Sequence, residues 1–552
     1  MSERSPTGTL ERFFLSLGVW VVVWCAAFLV ITASMRVWSL EAPVVAAVLA
    51  FATSAWAVRW SLAPSARMLL AVCALLALAV LVAVGMASLW RDISYDGQAI
   101  HFPSALEIAG GLNPFTSRPS MYVSAVYPNG LWTLQGFFIQ FAPDMEAGKS
   151  PAWMLCLASV PLVVVALRIL RGAWTPAVFL AALVVQANPV MVLQLTSFEL
   201  DGVVYSLLVI AVAGAILLSD IAYRRVGLIA LFCAILLLVN TKITGLYWAG
   251  VVAGAVLVQQ AVMHRKLPVP LGLGLMGTLI LAVLLVGWRP YVTVPVETGH
   301  LFGASTAVVA GPANLQHAGP GTRLAYLLWG ESGNPVGEAL AELKWPWQFS
   351  APEFVTLLDI RVGGFGPGFG LQALGALLVA MAFTWRSRHA LRQGQHWLGP
   401  YWFGIILLAT WWFPASWWAR LVSPFWLVTV LPLVWPVAKA PAVRTGPSPV
   451  VAAGWLLVLV GLALSSAATL STLRLLHGSN QAITQVLAQV ATQGTVVRIV
   501  PLNALEQDHA ALLWMQRLLE AGIYPRVGEA AGCAQALFAV GSVQLCTDPG
   551  GL

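Results

Sequence analysis

Apolar runs of about 17 to 25 residues recur along most of the chain, each long enough to cross roughly 30 Å of hydrocarbon as a helix. Read from the sequence, they are 13–34, 42–58, 68–89, 151–170, 174–193, 203–219, 226–240, 244–262, 270–288, 370–385, 398–413, 424–437 and 449–473. The pattern predicts an all-α polytopic membrane protein with about 13 transmembrane helices. The first run, Phe13 to Ser34, is too long for a signal-peptide core and no small-residue cleavage site follows it, so it is expected to be a retained span. Three long polar stretches interrupt the pattern, at 90–150, 289–369 and 475–552. In the last, Thr495 to Val500 reads as a strand, Ala510 to Ala521 has helical apolar spacing and Ala536 to Val540 reads as a second strand. The expected division is a transmembrane domain over 1–474, with loops 90–150 and 289–369, and a small C-terminal α/β domain over 475–552.

Composition agrees: 59% of the residues are hydrophobic and 9% charged, with a mean hydropathy of +0.83, which a soluble domain rarely reaches. Arginine and lysine recur on alternate connections, at Arg4 and Arg12, Arg59 and Arg67, Arg168 and Arg171, Arg224 and Arg225, Arg265 and Lys266, Arg386, Arg388 and Arg392, then Lys439 and Arg444. Because such residues are retained on the cytoplasmic side, the N-terminus is expected in the cytoplasm and the three polar stretches outside. The net charge of +7 is thereby mostly topological, and nucleic acid is not an expected partner. Cys25, Cys73, Cys156 and Cys233 fall within spans, whereas Cys533 and Cys546 lie outside the membrane. Those two could pair in an oxidising compartment or remain free thiols.

Chemistry is to be sought in the outer stretches. The segment DISYDGQAIH places Asp92, Asp96 and His101 directly after an apolar run that ends near Leu89. A carboxylate there could serve as a general base, with Asp96 the first candidate; Asp92, in the first turn, could instead cap backbone amides. The motif TSFELDG brings Glu199 and Asp201 to the same side, as substrate contacts or as oxygen ligands for Mg²⁺ or Mn²⁺. Lys242 is the sole charge between Val226 and Met263, and Arg420 stands beside Trp417 and Trp418. Either can hold a phosphate, arginine bidentately, or anchor the chain at the interface. Arg289 and His300 flank the start of the second long loop. The glycines of LLDIRVGGFGPGFG lack the strand-to-helix setting and Lys-Ser/Thr of a phosphate loop and read as a tight re-entry turn. Span interiors are nearly free of charge and no internal duplication is visible, which makes an ion-coupled transporter the second reading.

Tyr95, Asp96, His101, Pro103, Ala105 and the turn Gly111-Leu112-Asn113-Pro114 loosely match the first external loop of the GT-C membrane glycosyltransferases, which take a sugar from a polyprenyl phosphate carrier. The order of features resembles the lipid-linked aminoarabinose and mannosyl transferases over roughly residues 60–440. Three spans precede the loop where many members have one. Many members also carry a second carboxylate soon after the loop helix, whereas the nearest later acids here are Glu107, Asp144 and Glu146.

The resemblance implies inverting transfer of a sugar at the outer face of a bacterial inner membrane. The donor would be a polyprenyl-phosphate-linked sugar and the acceptor an envelope glycan, lipid or protein. Asp96 or Asp92 would be the base, and Lys242 and Arg420 would hold phosphate. His101, Glu199, Asp201, Arg289 and His300 would contact substrate. No cofactor is required, with a divalent ion at Glu199 and Asp201 left open. A flippase of a lipid-linked sugar and a non-catalytic envelope-assembly subunit are the alternatives.

Overall fold

The computed structural model describes residues 8–120, 122–299, 312–335, 337–355, 358–387, 397–435, 449–501, 507–529, 533, 535–540 and 543–547. Seven helices among them are long and apolar enough to cross a membrane: α1 (Thr9–Val37), α2 (Pro43–Leu62), α3 (Ala66–Ser88), α4 (Met145–Arg171), α5 (Ile243–His264), α6 (Val269–Val286) and α7 (Pro449–Gln493). The other six expected spans coincide with shorter helical stretches, Pro176–Gln186, Asp201–Leu217, Arg224–Val239, Phe369–Thr384, Leu398–Trp412 and the helical turns over Ser423–Val434. By length and composition, then, seven of the described helices are able to cross a membrane, and the expected count of about 13 is not confirmed.

Local chemistry explains the shortening. The expected span 174–193 stops at Gln186 because Asn188 takes an extended conformation before Pro189, caps the amide of Val190 at 2.9 Å and starts a new helix. Elsewhere the ends are orderly: Ser65 caps α3 through the Met68 amide at 3.2 Å, and Gly172, at φ 77°, ends α4.

The helices pack through small residues as well as large ones. Where Phe369–Thr384 crosses α7, a Cβ on Gly375 would lie 2.4 Å from the carbonyl oxygen of Gly454. Only glycine permits that backbone approach. At one end of the bundle Glu11 accepts from Tyr223 at 2.6 Å and from Trp174 at 3.1 Å, tying α1 to two interhelical turns. The opposite end carries the segment after α3, Glu199, the start of Asp201–Leu217, Lys242 before α5, and Arg420.

Helix α7 does not stop at residue 475, where the second domain was expected to begin; it runs unbroken to Gln493. Its last turns, through Ile483, Leu487 and Val490, share a core with a four-stranded sheet and with helix α8 (Gln507–Glu520). The strands are β1 (Val497–Pro501), β2 (Pro525–Val527), β3 (Gln535–Val540) and β4 (Val543–Thr547), in the order β2-β1-β4-β3. β1 is parallel to β2, and the other pairs are antiparallel. Cys533 and Cys546 are joined by a disulfide with Cα atoms 5.6 Å apart.

Candidate functional site

Beyond α3 the chain turns through Trp90 and Arg91 into a buried hairpin of hydrogen bonds. The Asp92 carboxylate accepts from the amide and hydroxyl of Ser94, at 2.8 and 2.7 Å, and from the amide of Phe198 at 2.7 Å. It is wholly buried. A Cβ on Gly97 would come within 2.0 Å of its Oδ2, so the fold depends on glycine there. Asp92 is thereby a cap that ties the loop to the 198–201 turn.

A π-turn over Gly97–His101 follows, continued by the helix Phe102–Ala109. Such turns often occur at functional positions. The expected break comes at Gly110 and Gly111, the latter at φ 97°, and Asn113 closes the turn by accepting from Phe115 N at 3.0 Å and donating to the Arg36 carbonyl at 2.9 Å. Asp96, just before the π-turn, points away from Asp92 and meets Arg420 at 2.6 Å.

Arg420 is the hub of the site. Its guanidinium lies 2.6 Å from Asp96, 3.0 Å from Asp359, 3.5 Å from Asp201 and 3.7 Å from Glu199. Asp201 in turn holds Lys242 at 2.7 Å. Four carboxylates and two cations from five separate parts of the chain therefore form one connected basin at one end of the bundle. Trp418 lies between Arg420, 4.7 Å from its ring, and Arg361, 5.2 Å from it, so the indole face steadies both guanidiniums.

The charge states follow from this crowding. Burial raises the Asp96 carboxyl, but Arg420, His101 and Lys242 outweigh it and hold Asp96 down at about 2. Burial raises Glu199 well above its ordinary value, and the neighbouring Asp96, Asp359 and Asp201 add to the rise against Arg420. Asp359 is raised for the same reasons, burial first. Lys242 is raised: burial opposes its charge, but Asp201 and Tyr127 more than restore it. His101 is buried between Tyr127 and Trp132, with ring centroids at 5.9 and 5.8 Å. Burial, helped by Lys242 and Arg420, pushes it down to about 3. The imidazole is neutral.

Among the expected residues, Asp96, Glu199, Asp201, Lys242 and Arg420 meet in the basin, and His101 borders it. Arg289 is engaged elsewhere, 3.0 Å from Glu297. His300 lies outside the described residues. Asp359 joins the basin although its surroundings in sequence, LLDIRVGG, carry no spacing that singles it out. Gln194, a helix-end amide, also contributes by donating to Glu199. Among the described residues no group of three or more histidine, cysteine, aspartate or glutamate side chains is arranged to hold a metal ion. In this arrangement Glu199 and Asp201 are both drawn to Arg420, and Asp201 is also held by Lys242.

No protein-family model matches the chain, and no curated protein matches it in sequence. Two solved structures are similar: crystal structures of ArnT from Cupriavidus metallidurans, one bound to undecaprenyl phosphate and one in the apo state. Identities are 13% and 14%, and TM-scores 0.43 and 0.44, with 86% of this chain covered in both and 97% and 98% of the respective ArnT chains.

Proposed function

We propose that this integral membrane protein is a glycosyltransferase. It takes a sugar from a polyprenyl-phosphate donor at the extracytoplasmic face of a bacterial inner membrane and passes it to an envelope glycan, lipid or protein. The observation that carries this reading is the Arg420 hub: two buried, charged cations beside an ionised carboxylate, at the end of a bundle of apolar helices where a lipid phosphate and a polar acceptor can meet.

In the resting basin Arg420 neutralises Asp96 and Lys242 neutralises Asp201. An incoming phosphate competes for both cations, and arginine can meet it with two parallel N–H donors. Drawing Arg420 from Asp96 removes the main influence that holds that carboxyl low, so donor binding itself raises the basicity of Asp96. The acceptor hydroxyl then attacks the anomeric carbon and gives its proton to Asp96. The bond from the anomeric carbon to the phosphate oxygen breaks, and its electron pair leaves with the lipid phosphate, whose charge Arg420 and Lys242 stabilise. Glu199, whose carboxyl burial and the neighbouring acids raise, lines the basin as a contact for a sugar or acceptor oxygen. No step is routed through a metal.

The test is transfer by purified protein in lipid nanodiscs, supplied with radiolabelled polyprenyl-phosphate sugars and envelope extract. The reading expects label in a new glycosidic linkage. A flippase would move labelled lipid between the leaflets of proteoliposomes with no new linkage, and that result would overturn it.

A further inference from the structure

A second buried network lies behind the basin, on the side of the C-terminal domain, and the proposed chemistry makes no direct use of it. Helix α8 presents Trp514 and Arg517, both buried, to the Asp92–His101 segment. The Trp514 indole donates to the Gln98 side chain at 2.7 Å, within the π-turn that follows Asp96. Arg517 donates to the Asp92 carbonyl at 3.0 Å and to the Glu146 carboxylate. Glu146 also accepts the Asp92 amide at 3.0 Å and the Lys149 ammonium at 2.8 Å. Asp92 is thus held by both its amide and its carbonyl from α8 and the start of α4.

A stack of flat groups continues the connection. The Arg517 guanidinium lies 4.8 Å from the Trp514 ring and 5.3 Å from Phe102, and Phe102 stacks on Phe198 with centroids 3.8 Å apart. Phe198 immediately precedes Glu199, and its amide is the one Asp92 caps. Hydrogen bonds and stacking therefore run without a gap from α8 to both sides of the basin, to Asp96 through Gln98 and to Glu199 through Phe198.

The segment needs outside support. A five-residue π-turn has little stability of its own, and Asp96 sits at its open end facing three other carboxylates around Arg420. Alpha-helical wrapping from Phe102 onward fixes only the far end of the segment. The bonds from α8 fix the near end.

We propose that Trp514 and Arg517 are positioning residues through which the C-terminal domain holds the Asp92–His101 segment, and with it Asp96, against Arg420. The proposal rests on the glycosyltransferase reading for what Asp96 does there, but the mechanical claim is independent of it. Trp514→Phe keeps the ring and deletes only the indole donor; Gln98→Leu deletes the acceptor from the transmembrane side. The two serve as independent probes should one variant fail to fold.

Full-length protein in nanodiscs is examined by hydrogen–deuterium exchange without substrate. Each variant is expected to speed exchange of peptides spanning residues 92–101 about tenfold while leaving peptides of α5 unchanged. The double variant should add nothing to Gln98→Leu alone, which removes the Trp514 bond together with the Gln98 amide's own bond to the Ser94 carbonyl at 3.3 Å. Unchanged exchange at 92–101, acceleration throughout the protein, or additive effects would overturn the proposal.

The pH dependence of sugar transfer supplies a readout that loss of general stability would not mimic. Loosening the Asp96–Arg420 contact should move the acid limb of the profile to higher pH in Trp514→Phe. An unshifted limb beside a loosened segment would overturn the link to Asp96. Local loosening in a protein whose wild type transfers no sugar would instead overturn the catalytic reading and leave the positioning contact standing.

Discussion

Asp96 and Arg420 are 324 positions apart in the chain, and their side chains meet at 2.6 Å. Buried charges are stable only when paired, and here one guanidinium serves four carboxylates. Asp96 is paired with Arg420 and Asp201 with Lys242, so an incoming anion has to compete with a carboxylate for each cation.

Replacing Arg420 should separate its two functions. Arg420→Lys keeps a charge but loses the paired donors, and should weaken binding of undecaprenyl phosphate about tenfold, a change of ~1.4 kcal/mol. Arg420→Gln also leaves the buried carboxylates without their cation, which costs stability on the order of 3–5 kcal/mol. Lipid binding measured by microscale thermophoresis, alongside thermal unfolding, checks both.

Acid should destabilise the protein through His101. Its folded value, pushed down to about 3, lies below the unfolded value, so between about pH 6.5 and 3 the unfolded chain binds the extra proton. Stability then falls as pH drops through that window, by at most about 1.4 kcal/mol per pH unit. Asp96, lowered to about 2, contributes stability that is present above the unfolded carboxylate range and lost as pH falls towards 2. His101→Gln should flatten the loss between pH 6.5 and 4 in melting temperature against pH. An unchanged slope would contradict the assignment.

Gly97→Ala should lower stability by about 1–3 kcal/mol, because the added methyl collides with the Asp92 carboxylate. Asp92→Ala should cost a similar amount by leaving the buried Phe198 and Ser94 amides without an acceptor. Both are read from thermal unfolding in detergent. In Asp92→Ala the loss of transfer should follow the loss of folded protein.

Chelation should have no effect. With Glu199 and Asp201 both drawn to Arg420, and Asp201 also held by Lys242, transfer measured after EDTA treatment is expected to equal that with added Mg²⁺ or Mn²⁺. A rate that collapses with EDTA and returns with either ion would show that the cation chemistry has been misread.

Much of this is legible in the sequence because a membrane interior makes charge conspicuous. Lys242 stands alone among apolar residues, Arg420 follows a tryptophan pair, and Glu199 with Asp201 interrupt two apolar runs; the structure brings all four together with Asp96. Asp359 was not legible, because it enters from a long loop with no periodicity and acquires meaning only when the loop folds back onto Arg420. Arg517 and Trp514 were hidden for a related reason. Their spacing reads as the apolar side of an ordinary helix, and nothing local shows that this side faces Gln98, more than 400 positions earlier. The expected span 174–193 runs through Asn188-Pro189, a turn-favouring pair at which the structure ends one helix and starts another.

The most direct test of the account is Asp96→Asn in nanodiscs, with sugar transfer and undecaprenyl phosphate binding measured on the same preparation. The substitution keeps the size of the side chain and removes its ability to take a proton. Transfer should be abolished while lipid phosphate binds at least as tightly as in the wild type, since Arg420 has lost its nearest competitor. Transfer at the wild-type rate would contradict the central claim that Asp96 accepts the acceptor's proton.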